Sequence, residues 1–149
     1  MSIITVDFET YYDKAFSLSK LTTEEYIRDD RFEVIGVAVK VDDNQTEWAS
    51  GTHEQIKGWL DQFDWENSAG LAHNAMFDGA ILKWIFNCEA QFYLDTLCMA
   101  RAIHGVDAGG SLAKLADRYH IGVKGDEVVM AEGKQITGFT SSELTQYGE

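Results

Sequence analysis

The alternation of apolar and polar positions predicts a strand at the very start of the chain. Around Thr5-Val6-Asp7-Phe8-Glu9-Thr10, the side chains of Ile4, Val6 and Phe8 fall on one face of an extended segment, and Asp7 and Glu9 fall together on the other. Tyr11 to Leu21 reads as a polar and aromatic connection. Thr22-Thr23-Glu24-Glu25 then has the form of a capping box, opening a short helix that runs to about Asp29. The longest β-rich run, Arg31 to Val41, predicts a second and largely buried strand. Turn residues at Asp42-Asp43-Asn44 send the chain back into a third, antiparallel strand over Gln45 to Ala49.

The period changes after this meander. A second capping box at Thr52-His53-Glu54-Gln55 precedes Ile56, Trp59, Leu60 and Phe63 at helical spacing. Ala69 to His73 predicts a short strand closed by Asn74, and a helix follows from about Met76 to Phe86. A fifth strand is expected over Gln91 to Leu94, after which Asp95 or Thr96 caps a helix bearing Leu97, Ala100 and Arg101. Ser111 starts another helix, with Leu112, Leu115, Ala116 and Tyr119 on one face. Gly122 to Gly138 reads as a long loop with a short hairpin near Val128-Val129-Met130, and Thr140-Ser141-Ser142-Glu143 opens a last helix that reaches Glu149. The expected fold is α/β: a mixed central sheet, a three-strand antiparallel meander plus two further strands, flanked by helices. No linker or repeat interrupts the 149 residues, so a single domain is expected.

Charge narrows the functional classes. The net charge of −13 argues against a broad basic surface gripping nucleic acid, although it leaves room for an enzyme that reaches a strand end through metal ions. No apolar run approaches the roughly 20 residues of a membrane span, and no basic segment precedes the first strand, so a cytoplasmic protein is expected. Cys88 and Cys98 sit in apolar stretches without zinc-site or CxxC spacing, which predicts buried free thiols. Trp48, Trp59, Trp65 and Trp84 are expected in the core or at its rim.

The acidic positions carry the chemistry. Asp7 and Glu9 share a small patch with no Lys or Arg within six residues of Asp7, so their repulsion calls for a raised pKa, a basic group from elsewhere, or a hard divalent cation. An acidic strand end dissolving into solvent is the plain alternative. Asp78 lies on the same helical face as Ile81, Leu82, Ile85 and Phe86, which aims a carboxylate inward. It equally suits the first helical turn, where acids favour the positive end of the dipole. Asn74 is placed to cap that helix or to meet a ligand, and Phe77 or Tyr12 to stack on a base.

Asp7-Phe8-Glu9-Thr10 and His73-Asn74-Ala75-Met76-Phe77-Asp78 together resemble the first two motifs of DEDD-type, DnaQ-like 3′-to-5′ exonucleases on a ribonuclease H-like fold. Asp7 to Val39, including Glu25-Tyr26-Ile27-Arg28-Asp29-Asp30-Arg31-Phe32-Glu33, further resembles the proofreading domain of phage-type family A DNA polymerases. Asp95-Thr96-Leu97 and Ser111 to Ala116 extend the likeness through nearly the whole chain. The resemblance implies that Asp7, Glu9 and Asp78 are catalytic and hold two Mg²⁺ or Mn²⁺ ions, with Thr10, Asn74 and Phe77 against the terminal nucleotide. It also implies a single-stranded DNA 3′ end as substrate and a polymerase domain in the same parent chain. A free-standing exoribonuclease, or a non-catalytic module that binds strand ends, are the alternatives.

The family's third motif, a Tyr-x-x-x-Asp on a late helix, is not completed by Tyr147-Gly148-Glu149. Tyr26 to Asp30 fits the pattern but precedes the second motif, which makes it a chance match on a surface helix. The chain as written is therefore expected to lack the end of its last helix, to bind metal weakly and to hydrolyse slowly or not at all.

Overall fold

The computed structural model describes residues 1–122 and Gln135. The loop and hairpin expected after Gly122 and the helix expected from Thr140 lie outside the described residues, apart from Gln135 itself.

A five-stranded sheet runs in the order β3-β2-β1-β4-β5, with β1 Ile3–Thr10, β2 Val34–Val41, β3 Glu47–Ser50, β4 Ala69–Ala72 and β5 Phe92–Asp95. β1 and β2 pair antiparallel, as do β2 and β3, forming the expected meander. β4 lies parallel to β1 and β5 parallel to β4, which makes the sheet mixed and places β1 at its centre. This is the α/β architecture that the change of period implies, because parallel neighbours need a helical crossover between them.

The helices are α1 Thr23–Arg28, α2 His53–Leu60, α3 Ala75–Trp84, α4 Thr96–His104 and α5 Leu112–Tyr119. Both early capping boxes form: Thr22 accepts from the Glu25 N–H and Thr52 from the Gln55 N–H, with the glutamate and glutamine side chains reaching back. Asp95 caps α4 through the N–H groups of Leu97 and Cys98, and Ser111 caps α5 through that of Lys114. Asn74 departs from expectation. It occupies the N-cap position of α3 in the left-handed conformation (φ 72°, ψ 57°), and its side chain makes no cap hydrogen bond. Asparagine is among the few residues that adopt this conformation readily, so the turn uses its backbone tolerance rather than its oxygen.

Ile4, Val6 and Phe8 enter the core with Val34, Val37, Val39, Ile56, Leu60, Ile81, Leu82 and Phe86. Phe8 stacks on Phe86 with ring centroids 5.6 Å apart, which fixes the centre of the sheet against the end of α3. α1 is more than a surface helix, since Tyr26 and Ile27 are both buried. Phe16, fully enclosed, stacks on Tyr26 at 4.5 Å and has the Arg31 guanidinium over its ring. Gly36 is required where it stands, because a Cβ there would collide with the Trp48 indole across the β2–β3 pair.

Other expectations change at the periphery. Cys88 is buried but Cys98 is exposed, standing on the outward side of α4. Trp65 is buried, whereas Trp84 is 43% exposed and lies under the Arg28 guanidinium. On the predicted apolar face of α5 only Leu115 is buried, while Leu112 and Tyr119 are exposed. No helix among the described residues is long and apolar enough to cross a membrane.

Candidate active site

The C-terminal end of β1 opens into a cleft of about 480 Å³. Burial along the strand alternates as its pattern requires: Ile4, Val6 and Phe8 are buried, Asp7 is exposed and Glu9 half-buried on the opposite face. Asp7, Glu9, Thr10, Tyr12 and Phe77 all line the cleft, and so does His73. A register irregularity between Glu9 and Thr10 marks a β-bulge where the strand leaves β2.

Asp78 is joined to that strand from beneath. β4 pairs with β1 only as far as Thr5 and Leu71. Past that point β1 has no paired residue on the β4 side, and the Phe8 N–H donates instead to Asp78 Oδ1 at 3.0 Å. The carboxylate on the first turn of α3 thus completes the hydrogen bonding of the central strand between the two acidic positions Asp7 and Glu9.

This arrangement strains the charge on Asp78, which is 3% exposed. Burial is the main force pushing its carboxyl up to about 8; the Phe8 N–H pulls the other way, and the negative charges of Asp7 and Glu9 add to the rise. Carboxyl groups from distant parts of the chain therefore act on one another electrostatically.

Among the described residues, no three His, Cys, Asp or Glu side chains are already gathered into a ready-made metal centre. The donor chemistry nevertheless fits a hard divalent cation, since every candidate donor is a carboxylate and an added cation would relieve the penalty on Asp78.

The remaining candidates divide. Thr10 is largely buried, with its Oγ 2.9 Å from the Tyr26 hydroxyl. Because the single Tyr26 hydroxyl proton is directed to the Tyr11 carbonyl, Thr10 is the donor in that pair. Its hydroxyl thus secures the cleft wall. Asn74 is not among the residues lining the cleft, and its backbone N–H donates to Asp95 Oδ1 at 3.0 Å. Tyr26 is buried while Asp30 is exposed, so the chance Tyr-x-x-x-Asp does not present its two side chains together. The late-helix positions Tyr147 and Glu149 lie outside the described residues.

Sequence reasoning assigned no role to Tyr26, Ser17, Leu18 or Ser19, which also line the cleft. The available signal was the loop's own turn chemistry. Asp13 accepts the N–H groups of Ala15 and Phe16 and the Tyr11 hydroxyl, each at 2.7 Å, and so fixes the wall that carries them.

No protein-family model and no curated protein matches this sequence. Among solved structures the chain is similar to Brucella melitensis NrnC, with a TM-score of 0.68 and 12% identity over 98% of this chain and 65% of that one. NrnC structures with bound Mg²⁺ and bound to pGG match as well. The catalytic core of RRP6 from Trypanosoma brucei matches with a TM-score of 0.65 and 14% identity, over 98% of this chain and 36% of that one. The chain thus spans just under two thirds of NrnC's length and about a third of the RRP6 core's. At such identities the likeness is one of fold: this chain has the ribonuclease H-like fold that its first two motifs led us to expect.

Proposed function

We propose that this chain is a metal-dependent nuclease that removes nucleotides from the 3′ end of a single strand. The observation that carries the reading is the coupling of Asp78 to the β1 strand and its carboxylates: an acid on α3 bonded to the Phe8 N–H and raised chiefly by its burial, with the charges of Asp7 and Glu9 adding to the rise. A purely structural role would be served as well by asparagine, without the electrostatic penalty. Asp7, Glu9 and Asp78 would hold Mg²⁺ or Mn²⁺. When bound there, two such ions supply an activated water and charge stabilisation for in-line displacement at phosphorus.

The chain's own residues provide the rest. Phe77 and Tyr12 offer aromatic surface to the terminal base, while the Tyr26–Thr10 contact keeps the wall beside Glu9 in place. The neighbouring structures favour a nuclease in its own right over a polymerase proofreading domain, since they include a nuclease in its apo form and NrnC bound to pGG. The −13 net charge agrees with recognition confined to a strand end. DNA or RNA is distinguished by contacts to the 2′-hydroxyl.

The test is incubation of the 149-residue chain with 5′-labelled single-stranded DNA and RNA in Mn²⁺. Slow shortening from the 3′ end, lost in Asp7→Ala and in Asp78→Asn, supports the proposal. A chain that shortens neither strand, or whose digestion survives both substitutions, is not this nuclease.

A further inference from the structure

The bulge beside Glu9 is supported from outside the sheet. Glu9 pairs with Gly36 and Thr10 with Val34, so Ile35 is passed over between them. The Val34 N–H donates to His53 Nε2 at 3.1 Å, and the Glu33 carbonyl just before it accepts from the Tyr11 N–H at 2.9 Å. His53 is the first residue of α2 and is half-buried, with the ring centroids of Phe32 and Phe86 at 6.5 and 5.6 Å. A bond from α2 thus holds the start of β2 where β1 leaves it, one residue pair beyond Glu9.

That bond fixes the protonation state of the ring. A backbone N–H can only donate, so Nε2 presents a lone pair, the imidazole is neutral and its proton sits on Nδ1. The imidazolium would set two donors against each other at 3.1 Å, at the positive end of the α2 dipole. Burial accordingly holds the ring below its ordinary range, against the opposing pull of Glu33 on the segment entering β2. Phe32 and Phe86 bring no charge. On α2 itself Glu54 is exposed to solvent and Lys57 is paired with Asp61.

We propose that His53 is a positioning residue that works as an acid-sensitive latch: its neutral ring holds β2 at the bulge beside Glu9, and a proton on Nε2 releases that hold. Glu9 and Thr10 both line the cleft, and they are the two residues paired across the irregular step. When the Val34 N–H loses its acceptor on α2, the end of β1 loses the fixed partner that sets where Glu9 stands. The latch is whole above the ordinary histidine range. As pH falls through that range, an unlatched ring takes up a proton that the latched ring refuses, so the hold weakens progressively. The consequence for cation binding rests on the nuclease reading above; the latch itself does not.

The experiment follows the His53 ring and the Val34 amide by NMR in the 149-residue chain, wild type and His53→Gln, from about pH 7.5 to about pH 5.5. Glutamine keeps an acceptor for the Val34 N–H and does not titrate in this range. In the wild type the ring should carry its proton on Nδ1 at the upper pH and titrate below about pH 6.5. With the same midpoint, the protection of the Val34 amide against hydrogen exchange should fall about threefold or more. His53→Gln should show no such fall. Mn²⁺ should bind both proteins alike at the upper pH, and bind the wild type about threefold more weakly than the variant at the lower one. A ring protonated on Nε2 at the upper pH, a Val34 amide indifferent to pH, or an equal fall in both proteins would overturn the inference. So would equal Mn²⁺ affinities at the lower pH, since Glu9 would then not depend on the latch. The coincidence of the two wild-type midpoints needs no variant, so it is decisive even if His53→Gln folds poorly. Failure of both proteins to bind Mn²⁺ at either pH removes the nuclease reading and leaves the Val34 amide to decide the latch.

Discussion

Asp78 and Asp95 are the same side chain in comparable places, each at the start of a helix and each accepting backbone N–H groups, yet their acidities move in opposite directions. Asp95 is also pushed up by desolvation, but the N–H groups of Asn74, Leu97 and Cys98 outweigh it and hold the carboxyl below its ordinary range. Asp78 is buried more deeply, accepts the Phe8 N–H, and faces the charges of Asp7 and Glu9. The difference teaches which carboxylate is structural. Asp95 is stabilised by the chain itself, tying the start of α3 to β5 and α4. Asp78 has its charge opposed by the fold, and a proton or a cation would relieve it.

The widest separation between the two should come from neutralising each in alkaline solution. Asp78→Asn keeps an oxygen for the Phe8 N–H and removes a charge that the interior disfavours. At pH 9 it should stabilise the protein by about 5 kcal/mol in urea denaturation without divalent ions. A loss of stability there would mean that the buried charge is already compensated within the fold.

Asp95→Ala should move the other way and somewhat less. It strips acceptors from three backbone N–H groups, two of them at the start of α4. The expected cost is about 2 kcal/mol, seen as a lower melting temperature. A change too small to detect would show that solvent replaces Asp95 readily and that the junction does not depend on it.

What could be read from the sequence follows the same division between local and distant causes. The capping boxes at Thr22 and Thr52 are complete within four residues, and both form as expected. The inward aim of Asp78 follows from the helical period it shares with Ile81 and Leu82. Its bond to Phe8 spans seventy residues and depends on where β4 stops pairing with β1, which no local pattern states. Asn74 misled because one residue type suits both an N-cap oxygen and a left-handed backbone, and the structure uses the second. Periodicity likewise identified an apolar face on α5 without saying what covers it, and Leu112 and Tyr119 are exposed. Tyr26 was read as surface because its partners Thr10 and Tyr11 lie across the cleft wall, beyond the reach of helical spacing.

The smallest expected effect is also the most discriminating, because acid should take away most of one member of the comparison while sparing the other. For Asp78 the folded pKa, about 8, lies above the unfolded value near 4. Between these limits the native state keeps a proton that the unfolded chain has released, so stability falls as pH rises through the window and levels off above it. For Asp95 the folded pKa lies below the unfolded one, so its contribution is present above about pH 4 and is lost as pH falls through the folded value. At pH 4.5, then, Asp78→Asn should be more stable than the wild type by only about 1 kcal/mol, because the native states both carry a neutral group there and the unfolded wild type has gained little by ionising. Asp95→Ala should still cost most of what it costs at pH 9. Urea denaturation of the three proteins at the two pH values measures this directly. If Asp78→Asn remained strongly stabilising at pH 4.5, packing rather than charge would separate it from the wild type, and Asp78 would lose its distinction as the carboxylate whose ionisation the fold opposes.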